Sequence, residues 1–162
     1  MTVKVIGVGN RFRRDDGIGP AAVDLLRGVL PAHIRAETRR CDPADLIAAW
    51  RGAAAAVIID AAAPAGNPGR IVRIDMNETA PAPRAAASTH GFGLAEALAL
   101  ARALAAAPQN VIVYAMEGED FGHGDGLSAA VHARLPALVA RVRAQAMAAA
   151  AAERQEIKER SA

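Results

Sequence analysis

The chain has 162 residues, of which 52% are hydrophobic and 22% charged, so a disordered chain is excluded and one domain with a packed core is expected. The 19 basic and 17 acidic residues leave a net charge of +2, too small an excess to indicate a nucleic-acid partner. The single cysteine, Cys41, excludes an internal disulfide and a cysteine-based zinc site, and favours a reduced, cytoplasmic setting. Charged residues interrupt the long apolar stretches, so neither a signal peptide nor a membrane span is expected.

The first third of the chain predicts two strands and two helices in alternation. Residues 3–8 form a short apolar run that ends in glycine, typical of a buried strand. Apolar residues at helical spacing predict a helix over 17–30, and the charged segment 33–40 predicts a strand at the edge of a sheet. Residues 43–50 predict a short helix, with Asp42 as its N-cap and a proline in its first position.

The middle of the chain predicts two strands and one helix. The β-branched run at 54–60 predicts a buried strand, and the alternating segment 70–75 predicts a strand with one exposed face. Residues 63–69 are rich in proline and glycine and predict a loop, and residues 77–88 predict a mobile connection. An apolar helix is expected over 93–107, packed through residues 94, 98, 100 and 104.

The last third of the chain predicts one strand and one long helix. The strand is expected at 110–116, and a charged, glycine-rich loop follows it at 117–126. Ser128 is expected to cap the last helix, whose apolar stripe fades after Met147. We expect one domain over residues 1–152, followed by an exposed or frayed helix end at 153–162.

This alternation predicts a three-layer α/β/α sandwich, with a mostly parallel twisted sheet of about five strands and helices on both faces. The strand at 70–75 has no helix before it, so we expect it to be antiparallel and to lie beside the strand that ends at Asp60. Ligands of such open sheets bind outside the carboxyl ends of the strands. Candidate site residues are therefore sought where strands end.

The first loop combines glycines with two adjacent carboxylates. Gly7 and Gly9 suggest a dinucleotide-binding turn, but the third glycine is missing at the required spacing, and Asp15 and Asp16 would repel a pyrophosphate. Helix capping accounts for one of these carboxylates. Two adjacent ones are costly unless a cation compensates their charge. A nucleotide site remains as an alternative interpretation.

Two further candidates follow strands or precede a helix. Asp60 ends the apolar run at 57–59, and His90 lies in a segment with glycines on its far side; both are expected in exposed crevice loops. With Asp16 they form a set of two carboxylates and one imidazole, which suits nickel, zinc or iron better than magnesium. Three protein ligands would leave a position open for water or substrate.

Several other polar residues compete for the same crevice. Five lie in or beside the loop after the last strand and are interpreted as solvated: Glu117, Glu119, Asp120, His123 and Asp125. His33 and His132 are interpreted as surface residues, and Cys41 has no histidine nearby in sequence, which disfavours a thiol nucleophile. The chain has neither a Gly-x-Ser-x-Gly turn nor a His-Glu-x-x-His helix, so serine and zincin hydrolases are disfavoured.

The chain resembles the [NiFe]-hydrogenase maturation endopeptidases. Four short segments carry the likeness in family order, at residues 7–19 (through Gly7-Val8-Gly9-Asn10 and Asp15-Asp16-Gly17), 57–61, 88–94 and 121–128. The family's Gly-Gly-Thr turn after the second strand is replaced here by Arg39-Arg40-Cys41-Asp42-Pro43. This departure bears on how the substrate tail is contacted and on which hydrogenase class is served.

The resemblance implies a cytoplasmic endopeptidase that removes the C-terminal extension of a [NiFe]-hydrogenase large-subunit precursor after nickel insertion. It assigns Asp16, Asp60 and His90 as catalytic and metal-contacting residues, with nickel brought by the substrate and other divalent ions able to occupy the site. No nucleic acid or membrane partner is expected, and the free protein is expected to be a monomer. The alternative is a non-catalytic nickel-occupancy checkpoint or metal-binding chaperone for hydrogenase assembly.

The chemistry that the resemblance implies is metal-assisted peptide hydrolysis. The metal would polarise the scissile carbonyl or activate water, or it would only position the substrate tail. A carboxylate, Asp16 or Asp15, is the nearest candidate for a general base.

Overall fold

The fold is an alternation of strands and helices. The computed structural model describes residues 2–78 and 91–161, without the side chains of residues 91 and 92. Its elements in chain order are β1 Thr2–Val8, a 3-10 turn Arg14–Gly17, α1 Ile18–Arg27, β2 Ile34–Arg39, α2 Pro43–Trp50, β3 Ala53–Ala62, β4 Ile71–Asp75, α3 Gly91–Ala103, β5 Asn110–Glu117 and α4 Ala129–Arg160. His90 and most of the predicted connection at 77–88 lie outside the described residues.

The five strands form one sheet in the order β2-β1-β3-β5-β4. β1, β2, β3 and β5 run parallel and β4 is antiparallel, which confirms the predicted fold class. The predicted neighbour of β4 was wrong: β4 pairs with β5 and not with β3. β3 already pairs along its length with β1 on one side and β5 on the other, so β4 takes the sheet edge.

The sheet is covered on both faces, which explains its continuous apolar strands. Successive residues of β3 enter opposite cores: Val57 packs with α1 and α4, and Ile58 packs with α2 and α3. Trp50, at the end of α2, is fully buried in the second core. The predicted cap of α2 is confirmed, because the Asp42 side chain accepts a hydrogen bond from the N–H of Asp45.

The predicted helix at 93–107 differs in detail. α3 ends at Ala103, and Leu100 and Leu104 are exposed, because the small residues Ala97 and Ala101 form the buried stripe together with Leu94 and Leu98. α4 continues to Arg160, with almost all of its side chains exposed after residue 150. No helix in the described part of the chain is long and apolar enough to cross a bilayer.

Asp15 joins the loop after β1 to the loop after β5. Its buried carboxylate accepts backbone hydrogen bonds from Glu119 (2.8 Å), Asp120 (3.0 Å) and Ser128 (2.7 Å), and a fourth from the Ser128 hydroxyl (2.8 Å). Ser128 therefore precedes α4 without the predicted side-chain cap, because its hydroxyl turns to Asp15. Burial raises the pKa of Asp15, but these donors outweigh burial and hold it below its ordinary value.

Glu117 performs a similar task at the end of β5. It is 2% exposed, so its interpretation as a solvated loop residue was wrong. Its Oε1 accepts hydrogen bonds from the N–H groups of Ala65 and Asn67, and its Oε2 lies 3.3 Å from the Nε of Arg70. Burial raises the pKa of Glu117, but the two N–H donors and the Arg70 charge lower it below the ordinary value.

Replacing Asp15 by Asn should destabilise the fold by about 3 kcal/mol, because an amide NH₂ would face N–H donors in a buried site. Ser128→Ala removes one of the four donors and should cost about 1 kcal/mol. Urea unfolding of both variants measures the difference. An Asp15→Asn protein within about 0.5 kcal/mol of the wild type would show that this hydrogen-bond cluster does not hold the loops.

The lowered pKa of Glu117 predicts a pH-dependent contribution to stability. The unfolded chain binds the proton more readily, so the stabilisation is complete above the unfolded pKa, about 4.3, and is lost as the pH falls through the lower folded pKa. The difference in unfolding free energy between the wild type and Glu117→Gln should therefore shrink between about pH 6 and about pH 3. A constant difference across this range, measured by urea titration, would contradict the assignment.

Candidate functional site

Asp16 and Asp60 lie at the carboxyl edge of two neighbouring parallel strands. Gly7 of β1 pairs with Ile59 of β3, so the end of β1 and Asp60 lie side by side. Asp16 belongs to the 3-10 turn that follows β1. The strand-end rule therefore placed both carboxylates at the same edge of the sheet.

Both carboxylates are buried, so the expectation that Asp60 lies in an exposed crevice loop was wrong. Asp16 is 4% exposed and Asp60 is 1% exposed. β3 continues to Ala62 because it stays paired with β5, so Asp60 lies inside the strand. One oxygen of each carboxylate is oriented by a backbone donor: Asn10 N–H to Asp16 Oδ2 at 3.0 Å, and Ala61 N–H to Asp60 Oδ1 at 2.8 Å. Such second contacts fix the direction of a ligating group.

The glycines of the first loop allow a close approach of backbones. A Cβ on Gly7 would overlap the carbonyl of Gly19, and one on Gly19 would overlap the carbonyl of Val8. Gly9 has a φ of 136°, and a Cβ there would overlap the carbonyl of Asp16. Packing of α1 and the 3-10 turn against β1 thus accounts for the glycine pattern without a bound phosphate.

The adjacent residues Asp15 and Asp16 have different roles. Asp15 is bound by the donors of the loop before α4, and Asp16 accepts from Asn10 at the edge of the cleft described below. The N–H groups around Asp15 compensate its negative charge, a role that the sequence suggested for a cation. They also occupy both oxygens of Asp15, which leaves Asp16 as the better placed of the two candidate bases.

Cys41 lies near the two site carboxylates. Burial raises the pKa of its thiol to about 12, and the charges of Asp60, Asp16 and Asp42 add to this effect. The sulfur therefore lies within electrostatic reach of both site carboxylates. A thiol with this pKa stays protonated at neutral pH, which agrees with the prediction that it is not a nucleophile. Sequence reasoning missed its position, although it follows β2 at the same edge of the sheet.

The start of α3 packs against the same cysteine. A Cβ on Gly93 would lie 3.1 Å from the Cys41 carbonyl oxygen and 3.3 Å from its Sγ. The chain three residues after His90 thus packs against Cys41. His90 itself lies outside the described residues, so its part in the site stays a prediction.

A cleft of about 410 Å³ opens beside these residues. Its lining comes from the loop after β1, the start of α1 and the end of β2: Gly9, Asn10, Arg11, Phe12, Asp16, Pro20, Thr38, Arg40 and Cys41. Within residues 2–78 and 91–161, no three His, Cys, Asp or Glu side chains form a group that could hold a metal ion. The third member of the predicted set, His90, falls in the gap between these ranges.

The competing polar residues do not join this pair. Glu119, Asp120, His123 and Asp125 are exposed in the loop after β5, as predicted. His33 and His132 are exposed as well, and His33 Nε2 lies 3.1 Å from a guanidinium nitrogen of Arg154. Asp15 and Glu117 have structural roles that no sequence pattern indicated, because their donors come from distant loops.

Solved structures of several proteins share this fold. The hydrogenase maturating endopeptidase HybD from E. coli is 24% identical, with a TM-score of 0.76 over 90% of this chain and 91% of that one. The [NiFe] hydrogenase maturation protease HybD from Thermococcus kodakarensis is 23% identical, with a TM-score of 0.73 over 90% and 99%. The hydrogenase 2 maturation peptidase of Thaumarchaeota archaeon SCGC_AB-539-E09 is 27% identical, with a TM-score of 0.63 over 88% and 95%.

Sequence comparison gives the family. No curated protein sequence matches the chain. The family model HycI, described as hydrogenase maturation protease, matches residues 41–145, which is more than half of the chain. The matched range includes Asp60 and His90. The chain therefore belongs to the hydrogenase maturation protease family.

Proposed function

We propose that this protein is an endopeptidase that removes the C-terminal extension of a [NiFe]-hydrogenase large-subunit precursor after nickel insertion, and that it recognises the nickel ion carried by that precursor. The observation that carries the proposal is the position of Asp16 and Asp60 at the carboxyl edge of two neighbouring parallel strands, with Cys41 within electrostatic reach of both and the start of α3 packed against Cys41. The same proposal places processing in the cytoplasm, where a lone cysteine stays reduced.

The donor set fits a nickel ion that arrives with its own ligands. Asp16 and Asp60 supply carboxylate oxygens and His90 would supply an imidazole nitrogen, both of which nickel binds. Each carboxylate has one oxygen oriented by a backbone N–H. Two carboxylates and one imidazole fill only part of a coordination shell, so they suit a metal whose other ligands come from the substrate.

The reaction is the hydrolysis of one peptide bond. Water oxygen adds to the scissile carbonyl carbon, the C–N bond breaks, and the leaving amine takes a proton. The substrate's nickel supplies Lewis acidity for the carbonyl or for the water. Asp16 borders the cleft and would orient the water or accept its proton, since the carboxylate of Asp15 is occupied by hydrogen bonds.

Nickel in the precursor should decide whether cleavage occurs. The purified protein should shorten a nickel-loaded precursor and leave the same precursor intact after the nickel is removed, because two carboxylates alone do not bind the tail productively. Mass spectrometry of the large subunit measures the loss of its C-terminal extension. Intact nickel-loaded precursor held in a stable complex would support the non-catalytic checkpoint instead.

Single substitutions in the proposed set should abolish processing. Asp60→Asn preserves the shape of a buried side chain but removes a negative ligand, so we expect processing to fall by about 100-fold or more. His90→Ala should have an effect of the same size. Asp75→Asn is the matched control. Asp75 ends the antiparallel strand β4 and pairs with Ile112 near the start of β5, so it lies at the end of the sheet opposite the carboxyl ends of the parallel strands.

Thermal unfolding and circular dichroism establish that these variants are folded before their rates are compared. If Asp60→Asn and His90→Ala cleave nickel-loaded precursor at the rate of Asp75→Asn, the assignment of the site residues is wrong.

A further inference from the structure

The loop between β1 and α1 displays an aromatic side chain to solvent. Phe12 is 69% exposed, the most exposed of the large hydrophobic residues in the described part of the chain. Its neighbours Arg11, Arg13 and Arg14 are exposed as well. Large exposed aromatic side chains among arginines are typical of the centres of protein–protein interfaces.

The backbone of this loop is fixed, so the display of Phe12 is built into the fold. The Phe12 N–H donates to Asn10 Oδ1 at 3.0 Å, and the Phe12 carbonyl accepts from the Gly124 N–H at 2.9 Å. Arg14 donates to the Gly124 carbonyl at 3.0 Å and adopts a φ of 49°, a left-handed conformation that is unfavourable for residues other than glycine. Strained, fully bonded loop geometry of this kind is concentrated at functional surfaces.

Phe12 stands on a ridge between two concave surfaces. On one side lies the cleft of about 410 Å³ that contains Asp16 and Cys41. On the other side lies a second cleft of about 290 Å³, which Phe12 shares with Asp125 and Leu127 of the loop before α4. A partner that receives the Phe12 ring would therefore lie directly across the entrance to the site.

Two of the arginines around this ridge lack a carboxylate partner within residues 2–78 and 91–161. Arg11 binds Asp24 through two hydrogen bonds, and Arg14 lies 3.8 Å from Asp120. Among the described residues, the Arg13 guanidinium, by contrast, donates only to the Phe121 carbonyl, at 3.4 Å. Arg40, which shares the larger cleft with Phe12, forms no ion pair with a described residue. We call Phe12, Arg13 and Arg40 the Phe12 rim.

We infer that the Phe12 rim is the surface on which the protein docks its substrate, at an acidic patch of the hydrogenase precursor that borders an apolar hollow. The inference rests on the proposed function and adds the surface and the chemistry of the partner. Unpaired guanidinium groups are complementary to carboxylates on a partner, and the exposed ring is complementary to an apolar hollow. The buried carboxylate of Asp16 in the same cleft disfavours a phosphate backbone, which selects a protein partner over a nucleic acid.

Steady-state processing of nickel-loaded precursor tests this docking surface. Phe12→Ala and the double variant Arg13→Glu/Arg40→Glu should each raise KM by about tenfold and leave kcat within about twofold, because the rim acts on binding. For the wild type, kcat/KM should fall with added salt, and the double variant should be less sensitive to salt. The matched controls are Leu104→Ala and Arg51→Glu, an exposed leucine and an exposed arginine that share a different concavity.

Titration calorimetry of the same variants with the precursor separates this inference from the proposed function. If the wild type cleaves the precursor and the rim variants have the same KM and Kd as the controls, the docking surface is wrong and the peptidase function stands. Absence of cleavage, with binding that the rim variants weaken, overturns the peptidase function and supports the docking surface. A wild type that neither binds nor cleaves the precursor, or that binds an oligonucleotide through the rim, overturns the inference.

Discussion

The close approach of α1 to the carboxyl ends of β1 and β3 is the constraint on which the rest of the site depends. Gly19 lies against the carbonyls of Val8 and Ile59, where a Cβ would overlap both neighbouring strands. This contact sets how far the 3-10 turn can stand from the sheet, and so sets where Asp16 lies relative to Asp60. A larger residue at Gly19 would force the turn outward and separate the two carboxylates.

The two neighbouring aspartates show how one short segment serves stability and chemistry at once. Asp15 turns toward the loop before α4 and is satisfied by four donors, whereas Asp16 turns toward Asn10 and the cleft. Because Asp15 holds the two loops together, it also fixes the far end of the segment that carries Phe12 and Arg14. The proposed chemistry and the proposed docking surface therefore share one anchor, and damage to this anchor would affect both.

Under the proposed function, the protease supplies only some of the ligands of the nickel ion, and the substrate supplies the ion and its other ligands. Two buried carboxylates and one imidazole would form a partial coordination shell, and the substrate would complete it. Specificity would then have two physical sources: the nickel ion, and the Phe12 rim, of which Phe12 and Arg40 line the cleft. A site of this kind has no need of a deep pocket, since the partner itself covers it. The thiol of Cys41 lies within electrostatic reach of both carboxylates and stays protonated, so it does not compete as a nucleophile.

The sequence by itself determined the parallel α/β sheet, the cap at Asp42 and the edge of the sheet where Asp16 and Asp60 lie, because these follow from hydrophobic periodicity, from local capping and from the rule that parallel strands end together. Only the tertiary structure decided that β4 pairs with β5, that Asp60 is buried inside a strand, that Glu117 holds the β3–β4 loop, and that Cys41 lies within electrostatic reach of both carboxylates. Each of these depends on contacts between segments far apart in the chain, such as Asp15 with Ser128, 113 residues later. The periodicity of a segment reports which of its faces is buried, but it carries no information about which distant donor or strand will meet that face.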